Sequence, residues 1–189
     1  MTLIPRLEGE RVSLREFRRE DIPEIHAWTN DSEIVRFLSW AIFPQTLRET
    51  ERFVDAQMSG ADPMNRGFII ALLDDDSCIG SSGVTNIDWR NRSGELGIVI
   101  GKRDYLGKGY GREAVDLLVR FAFNELNLHR VGLQVFDFNE RAIRSYRKSG
   151  LVEEGRLREA FYREGTYHDI VLMGITEGEF RLRSASAKD

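Results

Sequence analysis

The residues best suited to chemistry run from Leu106 through Gly107, Lys108, Gly109, Tyr110 and Gly111 to Arg112, between an apolar run and a strongly amphipathic segment. Glycines let a backbone approach a ligand closely and take φ > 0. The unpaired N–H groups of a helix's first turn then point into the bend, which makes such a turn an anion site. Spacing excludes two nucleotide motifs. A P-loop needs Gly, four residues, then Gly-Lys-Ser/Thr, whereas Gly101 is followed by five residues before Gly107-Lys108, and Gly109 stands where the hydroxyl residue belongs. The dinucleotide fingerprint needs Gly-x-Gly-x-x-Gly, and this chain has Gly-x-Gly-x-Gly. On residue types alone, the bend reads equally as an anion cradle or as a tight turn.

A second stretch, Asn139-Glu140-Arg141-Ala142-Ile143-Arg144-Ser145-Tyr146-Arg147-Lys148-Ser149-Gly150-Leu151, has helical character. Asn139 and Tyr146 are seven apart and share a helix face. At ~1.5 Å per residue they stand about 10 Å apart along the axis, enough to hold two parts of an extended ligand. Each residue also has a plain structural reading. Asn is a favoured N-cap, Tyr at this spacing is often core, and Arg141, Arg144, Arg147 and Lys148 make an ordinary solvated face.

Other reactive residues suggest little. Cys78 lies in an apolar hairpin with no His nearby in sequence, so it reads as an inert thiol. His26, His129 and His168 lack ligand spacing, and no metal site is expected. Asp74-Asp75-Asp76 lacks the Gly and distant Glu of a calcium loop and reads as a solvated hairpin turn.

The elements that would position these residues follow from periodicity. Arg11 to Phe17 alternates as a strand. Asp21-Ile22-Pro23 starts a helix, and Asn30 with Glu33 and Thr46 with Glu49 fit capping boxes, so two or three helices are expected between about 21 and 59. Residues 67–73 form a strand, and 78–89 and 94–100 a long hairpin turning at 90–93. Residues 109–127 form the clearest helix, with Val115, Leu118, Val119, Ala122 and Leu126 on one face. A strand at 130–138, a helix at 139–149 closed by Gly150, and strands at 151–162 and 166–175 follow. The last residues lose apolar pattern and are expected to fray. A meander joined to a βαβα unit predicts an α/β (α+β) domain over 1–176, a mixed sheet with helices on both faces, and a tail at 177–189.

Composition narrows the class. With 189 residues and 41% hydrophobic residues the chain supports one real core. Twenty-seven basic against 31 acidic residues give a net charge of −4, which disfavours nucleic acid as a partner. No stretch approaches 18 apolar residues, and the charged first twenty residues lack a signal's apolar region, so no membrane role is expected. A single cysteine points to a reducing, cytoplasmic setting.

The two chemical stretches together resemble the GNAT superfamily of acyl-CoA N-acyltransferases. Its pyrophosphate motif, Gln/Arg-x-x-Gly-x-Gly/Ala, is similar to Leu106–Gly111, with Leu106 in place of Gln/Arg. Its second signature, Asn-x-x-Ala-x-x-x-Tyr-x-Lys-x-Gly-Phe, is matched by Asn139, Ala142, Tyr146, Lys148 and Gly150, with Leu151 in place of Phe. The resemblance spans about residues 7–176. The opening Arg11-Val12-Ser13-Leu14-Arg15, the run from Trp28 to Glu33, Leu157 to Phe161, and Gly165-x-Tyr167-x-Asp169 resemble the branch that holds ribosomal-protein N-terminal acetyltransferases and spermidine acetyltransferases.

The resemblance implies a single domain with a splayed, mostly antiparallel sheet, and direct acetyl transfer from acetyl-CoA to a primary amine in a ternary complex. It implies that the backbone of Ile98, Val99 and Ile100 holds the pantetheine and the thioester oxygen. Leu106, Gly107, Lys108, Gly109, Tyr110, Gly111 and Arg112 would form the pyrophosphate site, Asn139 with Ala142 would meet the pantetheine arm, and Tyr146 would donate to the leaving sulfur. Glu95, at the start of the same strand, is the expected base, acting through water, against its reading as a surface carboxylate. The family's acceptor segment corresponds to residues 37–43 here, which carry Phe37, Trp40 and Phe43 and no carboxylate. That disfavours a polyamine, which needs acidic partners, and suits a protein or peptide α-amine, or a small hydrophobic amine, better. A small-molecule amine acetyltransferase and a non-catalytic acyl-CoA-binding module are the alternatives. Relatives also imply a homodimer through the C-terminal strands.

Overall fold

Alternation along the strands sets the layers. In the run Ile69-Ile70-Ala71 all three side chains are fully buried, yet Ile70 joins one core while Ile69 and Ala71 join another. Successive side chains point to opposite faces of a sheet, so this strand is covered on both sides. The computed structural model describes residues 6–39 and 43–186.

The strands are β1 (Leu7–Glu8), β2 (Val12–Arg15), β3 (Arg66–Leu72), β4 (Cys78–Asp88), β5 (Ser93–Ile100), β6 (Arg130–Phe136), β7 (Val152–Arg163) and β8 (Thr166–Thr176). The helices are α1 (Ile22–Thr29), α2 (Ser32–Val35), α3 (Leu47–Ser59), α4 (Tyr110–Asn124), α5 (Glu140–Lys148) and α6 (Glu177–Ser186). One sheet runs in the order β1-β2-β3-β4-β5-β6-β8-β7. Every neighbouring pair is antiparallel except β5 and β6. This is the expected mixed, mostly antiparallel sheet.

The parallel joint creates the site. β5 and β6 pair only at Ser93↔Arg130, Gly94↔Val131 and Glu95↔Gly132, after which they part. β6 continues along β8 to Phe136, and β5 continues along β4 to Ile100.

Packing explains the layers. α4 presents Ala114, Val115, Leu117, Leu118, Val119, Ala122 and Phe123, all buried, to the core that also holds Val12, Leu14, Val84, Leu96 and Val135. Each large aliphatic buried there contributes roughly 1.5–3 kcal/mol. α1 and α3 cover the other face with Ile25, Trp28 and Val54 against Ile69, Ala71 and Cys78. α4 stops at Asn124, earlier than the periodicity predicts, because Asn127 turns to φ 53°. Gly150, at φ 98°, closes α5, with the Leu151 N–H donating to the Tyr146 carbonyl at 3.0 Å.

Three expectations change. Residues 177–186 are helical and do not fray. Thr176 and Glu179 exchange capping hydrogen bonds, and Phe180 packs on Phe123 at 5.1 Å between ring centroids. The first cap falls on Asp31, whose side chain accepts the Glu33 N–H, and not on Asn30. The Asp74–Asp76 turn is only partly solvated. Asp76 binds Arg6, Arg15 and Arg18, and Arg15 in turn pairs with buried Asp21 at 2.7 Å.

Candidate functional site

The connection from β5 to α4 builds one end of the site. A single 3₁₀ turn, Arg103–Tyr105, leads through Leu106 to Gly107 at φ 74° and Gly109 at φ 93°. Both angles lie in the left-handed region, where a Cβ is strained. Gly109 caps α4, and its carbonyl accepts the Glu113 N–H at 3.1 Å. Among the described residues no backbone carbonyl accepts the N–H groups of Gly107, Gly109, Gly111 and Arg112, the bend residues that line the cavity. They form a concave set of donors at the positive end of a fifteen-residue helix.

Arg11 holds this bend from outside. Its guanidinium donates to the Lys108 carbonyl at 3.1 Å and to Glu113 at 3.0 Å, and it lies 4.4 Å from the centroid of the Tyr110 ring. Glu113 also accepts the N–H groups of Arg11 and Val12. Burial by itself would raise the Glu113 carboxyl, but these backbone donors and Arg11 outweigh it and hold it below its ordinary range. Neither Arg11 nor Glu113 is visible as a turn partner in sequence, since about a hundred residues separate them.

The parting of β5 and β6 supplies the middle. Gly101 N–H donates to the Ile79 carbonyl at 2.8 Å, which fixes the phase of the β4–β5 ladder. In that phase Gly97 and Val99 face β4, while Ile98 and Ile100 turn their N–H and C=O groups toward the side where no strand pairs beyond Glu95. Val99 therefore contributes its side chain and not a free edge.

α5 closes the far wall. Asn139 caps it, its Oδ1 accepting the Ala142 N–H at 3.3 Å, so the structural reading of this residue holds as well. Asn139, Ala142 and Tyr146 nonetheless all line the cavity. Burial pushes the Tyr146 phenol up to about 12, so it stays protonated across neutral pH.

These parts enclose one cavity of about 1080 Å³. It joins Ile98, Val99 and Ile100, Leu106, Gly107, Gly109, Gly111 and Arg112, and Asn139, Ala142 and Tyr146. Lys108 and Tyr110 belong to the bend without lining the cavity. The Tyr110 ring packs edge-on to Tyr105 at 5.2 Å. Glu95 also lies off the cavity, exposed, with its carboxylate accepting from the Asn86 amide at 3.1 Å. Its ladder partner Thr85 does line it.

The cavity continues past the splay to α1, α2 and α3. Phe37, Leu38 and Ser39 line it, and Trp40, Ala41 and Ile42 lie outside the described residues. Two carboxylates, Glu33 and Glu49, line it as well. Sequence reasoning credited both only with capping, and a wall free of carboxylates, as expected from residues 37–43, is not what the fold builds. Cys78 is buried and takes no part. Desolvation, reinforced by the field of Asp21, pushes its thiol up to about 12.

The residues present suit a long, anionic, amide-bearing ligand. The N–H groups of Gly107, Gly109, Gly111 and Arg112 match a diphosphate, and the open edge at Ile98 and Ile100 matches an extended amide chain. The Ser82 hydroxyl, buried in the cavity wall with no hydrogen-bond partner, awaits a polar group.

Comparison with known proteins agrees with this geometry. A spermidine N(1)-acetyltransferase of Vibrio cholerae is 30% identical over 177 residues, covering 93% of this chain and 99% of that protein. The crystal structure of the spermidine N-acetyltransferase from Vibrio cholerae, in complex with CoA and spermine, superposes with a TM-score of 0.81 at 29% identity, over 91% of this chain and 99% of that one. A Bacillus subtilis protein provisionally named a ribosomal N-acetyltransferase is 34% identical over 114 residues, 60% of this chain and 62% of its own. The family profile described as the acetyltransferase (GNAT) domain matches residues 11–152. With that match and a 30% identical relative along nearly its whole length, the chain belongs to the GNAT acetyltransferase family.

Proposed function

We propose that the chain transfers the acetyl group of acetyl-CoA to a primary amine of a small cationic molecule, with polyamines the class best supported. The observation that carries this reading is the single cavity that connects the donor-rich bend, the open strand edge and, at the α2 and α3 end, Glu33 and Glu49. A polyamine presents several ammonium groups, and a cavity wall with carboxylates can pair with those that do not react. The full-length relatives named for spermidine point the same way. The aromatic and aliphatic wall at Phe37 and Leu38 favours a second reading, a peptide α-amine.

Acetyl-CoA brings an activated thioester. The N–H groups of Gly107 to Arg112 grip the diphosphate, and Ile98 and Ile100 align the amide arm and offer an N–H to the carbonyl oxygen, where negative charge grows during attack. Asn139 and Ala142 border the arm. Tyr146, protonated at neutral pH, supplies the proton or hydrogen bond that a departing thiolate needs. An amine with pKa near ~10 arrives mostly protonated. Glu95, paired across the ladder with Thr85 at the cavity rim, takes that proton through intervening water.

A panel of spermidine, spermine, aromatic amines and short peptides with free N-termini, at fixed acetyl-CoA, tests the acceptor. Spermidine or spermine with the highest kcat/KM supports this reading. Preference for peptides moves the assignment to protein N-termini, and no turnover with any amine favours an acyl-CoA-binding module.

A further inference from the structure

Three consecutive residues before the glycine bend clasp α1 and α2. The backbone of Gly101 lies so close to the Trp28 ring that a Cβ there would sit 2.1 Å from it. Lys102 pairs with Glu24 at 3.2 Å. Arg103 grips Asp31 with a two-pronged contact, its Nε donating to Oδ2 at 2.7 Å and its second nitrogen to Oδ1. The same Asp31 carboxylate accepts the Glu33 N–H at 2.9 Å, which makes it the N-cap of α2.

α2 has four residues, too few to hold a helical shape unaided. Its other ties are the buried Ile34 and the Arg163 guanidinium, which donates to the Val35 carbonyl at 3.2 Å, so its first turn depends on what Asp31 is tied to. Yet it carries Glu33, and Phe37 and Leu38 follow it, all on the acceptor wall. Arg103 opens the 3₁₀ turn whose last hydrogen bond, Leu106 N–H to the Arg103 carbonyl at 3.0 Å, delivers the chain to Gly107. One ion pair thus joins the segment that bears the acceptor wall to the segment that bears the anion bend.

We infer that Arg103 and Asp31 are positioning residues that set the acceptor wall in register with the acyl donor. The inference rests on the acetyl-transfer reading above. The pair neither lines the cavity nor touches the bend's free N–H groups, so its loss acts on acceptor binding and leaves the CoA site intact. Asp31 does two jobs, and two substitutions separate them. Asp31→Asn keeps a capping oxygen and loses the charge, whereas Asp31→Ala loses both. Arg103→Lys keeps the charge and loses the fork.

The test measures Arg103→Ala, Arg103→Lys, Asp31→Asn and Asp31→Ala in the full chain. The acceptor is the member of the amine panel that the unaltered chain acetylates fastest, and CoA binding is followed separately by calorimetry. Arg103→Ala and Asp31→Asn should raise the acceptor KM about fivefold, the scale of one exposed ion pair, with CoA affinity and kcat within about twofold. Arg103→Lys should fall between, and Asp31→Ala should be worst. Hydrogen exchange of the 32–35 amides should quicken in Arg103→Ala, a readout that needs no acceptor. An unchanged KM with unchanged exchange overturns the inference, as does equal weakening of CoA binding. If Arg103→Ala does not fold, Asp31→Asn carries the same test. Failure of the unaltered chain to acetylate any amine would sink the function reading alone, since the exchange measurement would still judge the clasp.

Discussion

Arg11 and Glu113 lie 102 residues apart in sequence and are bound to each other twice, through the Arg11 N–H at 2.7 Å and through its guanidinium at 3.0 Å. The pairing joins the residue just before β2 to the first turn of α4. Because the Arg11 guanidinium also holds the Lys108 carbonyl, the bend is tied down without a ligand. A site whose donors are already aligned spends less binding free energy on ordering.

Gly109→Ala should disturb that bend. A Cβ at φ 93° costs about 1–2 kcal/mol, which lowers the melting temperature by roughly 2–8 °C for a chain of this size. CoA affinity should fall about tenfold or more as the donors lose alignment. Calorimetry and a thermal melt on the same sample check both, and unchanged CoA affinity would detach the bend from the ligand.

Tyr146→Phe should lower kcat by about 10²-fold while CoA affinity changes less than about twofold. The pH dependence of stability gives a second reading. The phenol is raised from 10 to about 12 on folding, so its contribution to stability is complete below pH ~10 and is lost as pH rises from there to about 12. Urea titrations from pH 9 to 12 should show a fall in stability that is shallower in Tyr146→Phe, where the Cys78 thiol, also raised to about 12, still contributes.

Glu95→Gln should remove the acidic limb of the kcat/KM profile if this carboxylate takes the amine proton through water. An acidic limb that survives the substitution clears Glu95 of the role and leaves proton removal to water and backbone carbonyls.

The Arg15–Asp21 pair is almost fully buried, with 3% and 5% of the side chains exposed. Asp21→Asn leaves a buried guanidinium underpaired and should destabilise the fold by about 3–5 kcal/mol. Nearby Asp76 feels burial that would raise its carboxyl, but the hydrogen bond from Arg18 and the fields of Arg15 and Arg6 prevail and hold it below the ordinary value. Its stabilisation is therefore present above pH ~4 and fades as pH falls below that. Denaturant midpoints at pH 6 and pH 3 should differ less in Asp76→Asn than in the unaltered chain.

Much of this was legible in the sequence because it is local. The glycines at 107 and 109 announce a backbone that must turn left-handed, and the 139–146 spacing announces one helix face. Thr46 with Glu49 marked the start of α3 correctly. The far-apart pairings were not legible. Nothing near Arg11 names Glu113, nothing near Asp31 names Arg103, and nothing in residues 177–186 shows that Phe180 will find Phe123. Glu33 and Glu49 were hidden differently. Local pattern marks a carboxylate near a helix start as a cap, and only the tertiary fold reveals that it also faces a cavity. Val99 illustrates the reverse, since the residues 98–100 read as one backbone edge until the ladder phase separates them.

In the proposed reading, the bend at 107–112, the open edge at Ile98 and Ile100, and the face of Asn139 and Tyr146 together hold one long thioester carrier. Titrating the full chain with CoA in a calorimeter, with a parallel thermal melt, tests it most directly. A saturable heat and a melting temperature that climbs with CoA concentration are predicted. No heat and an unmoved melting temperature would contradict it.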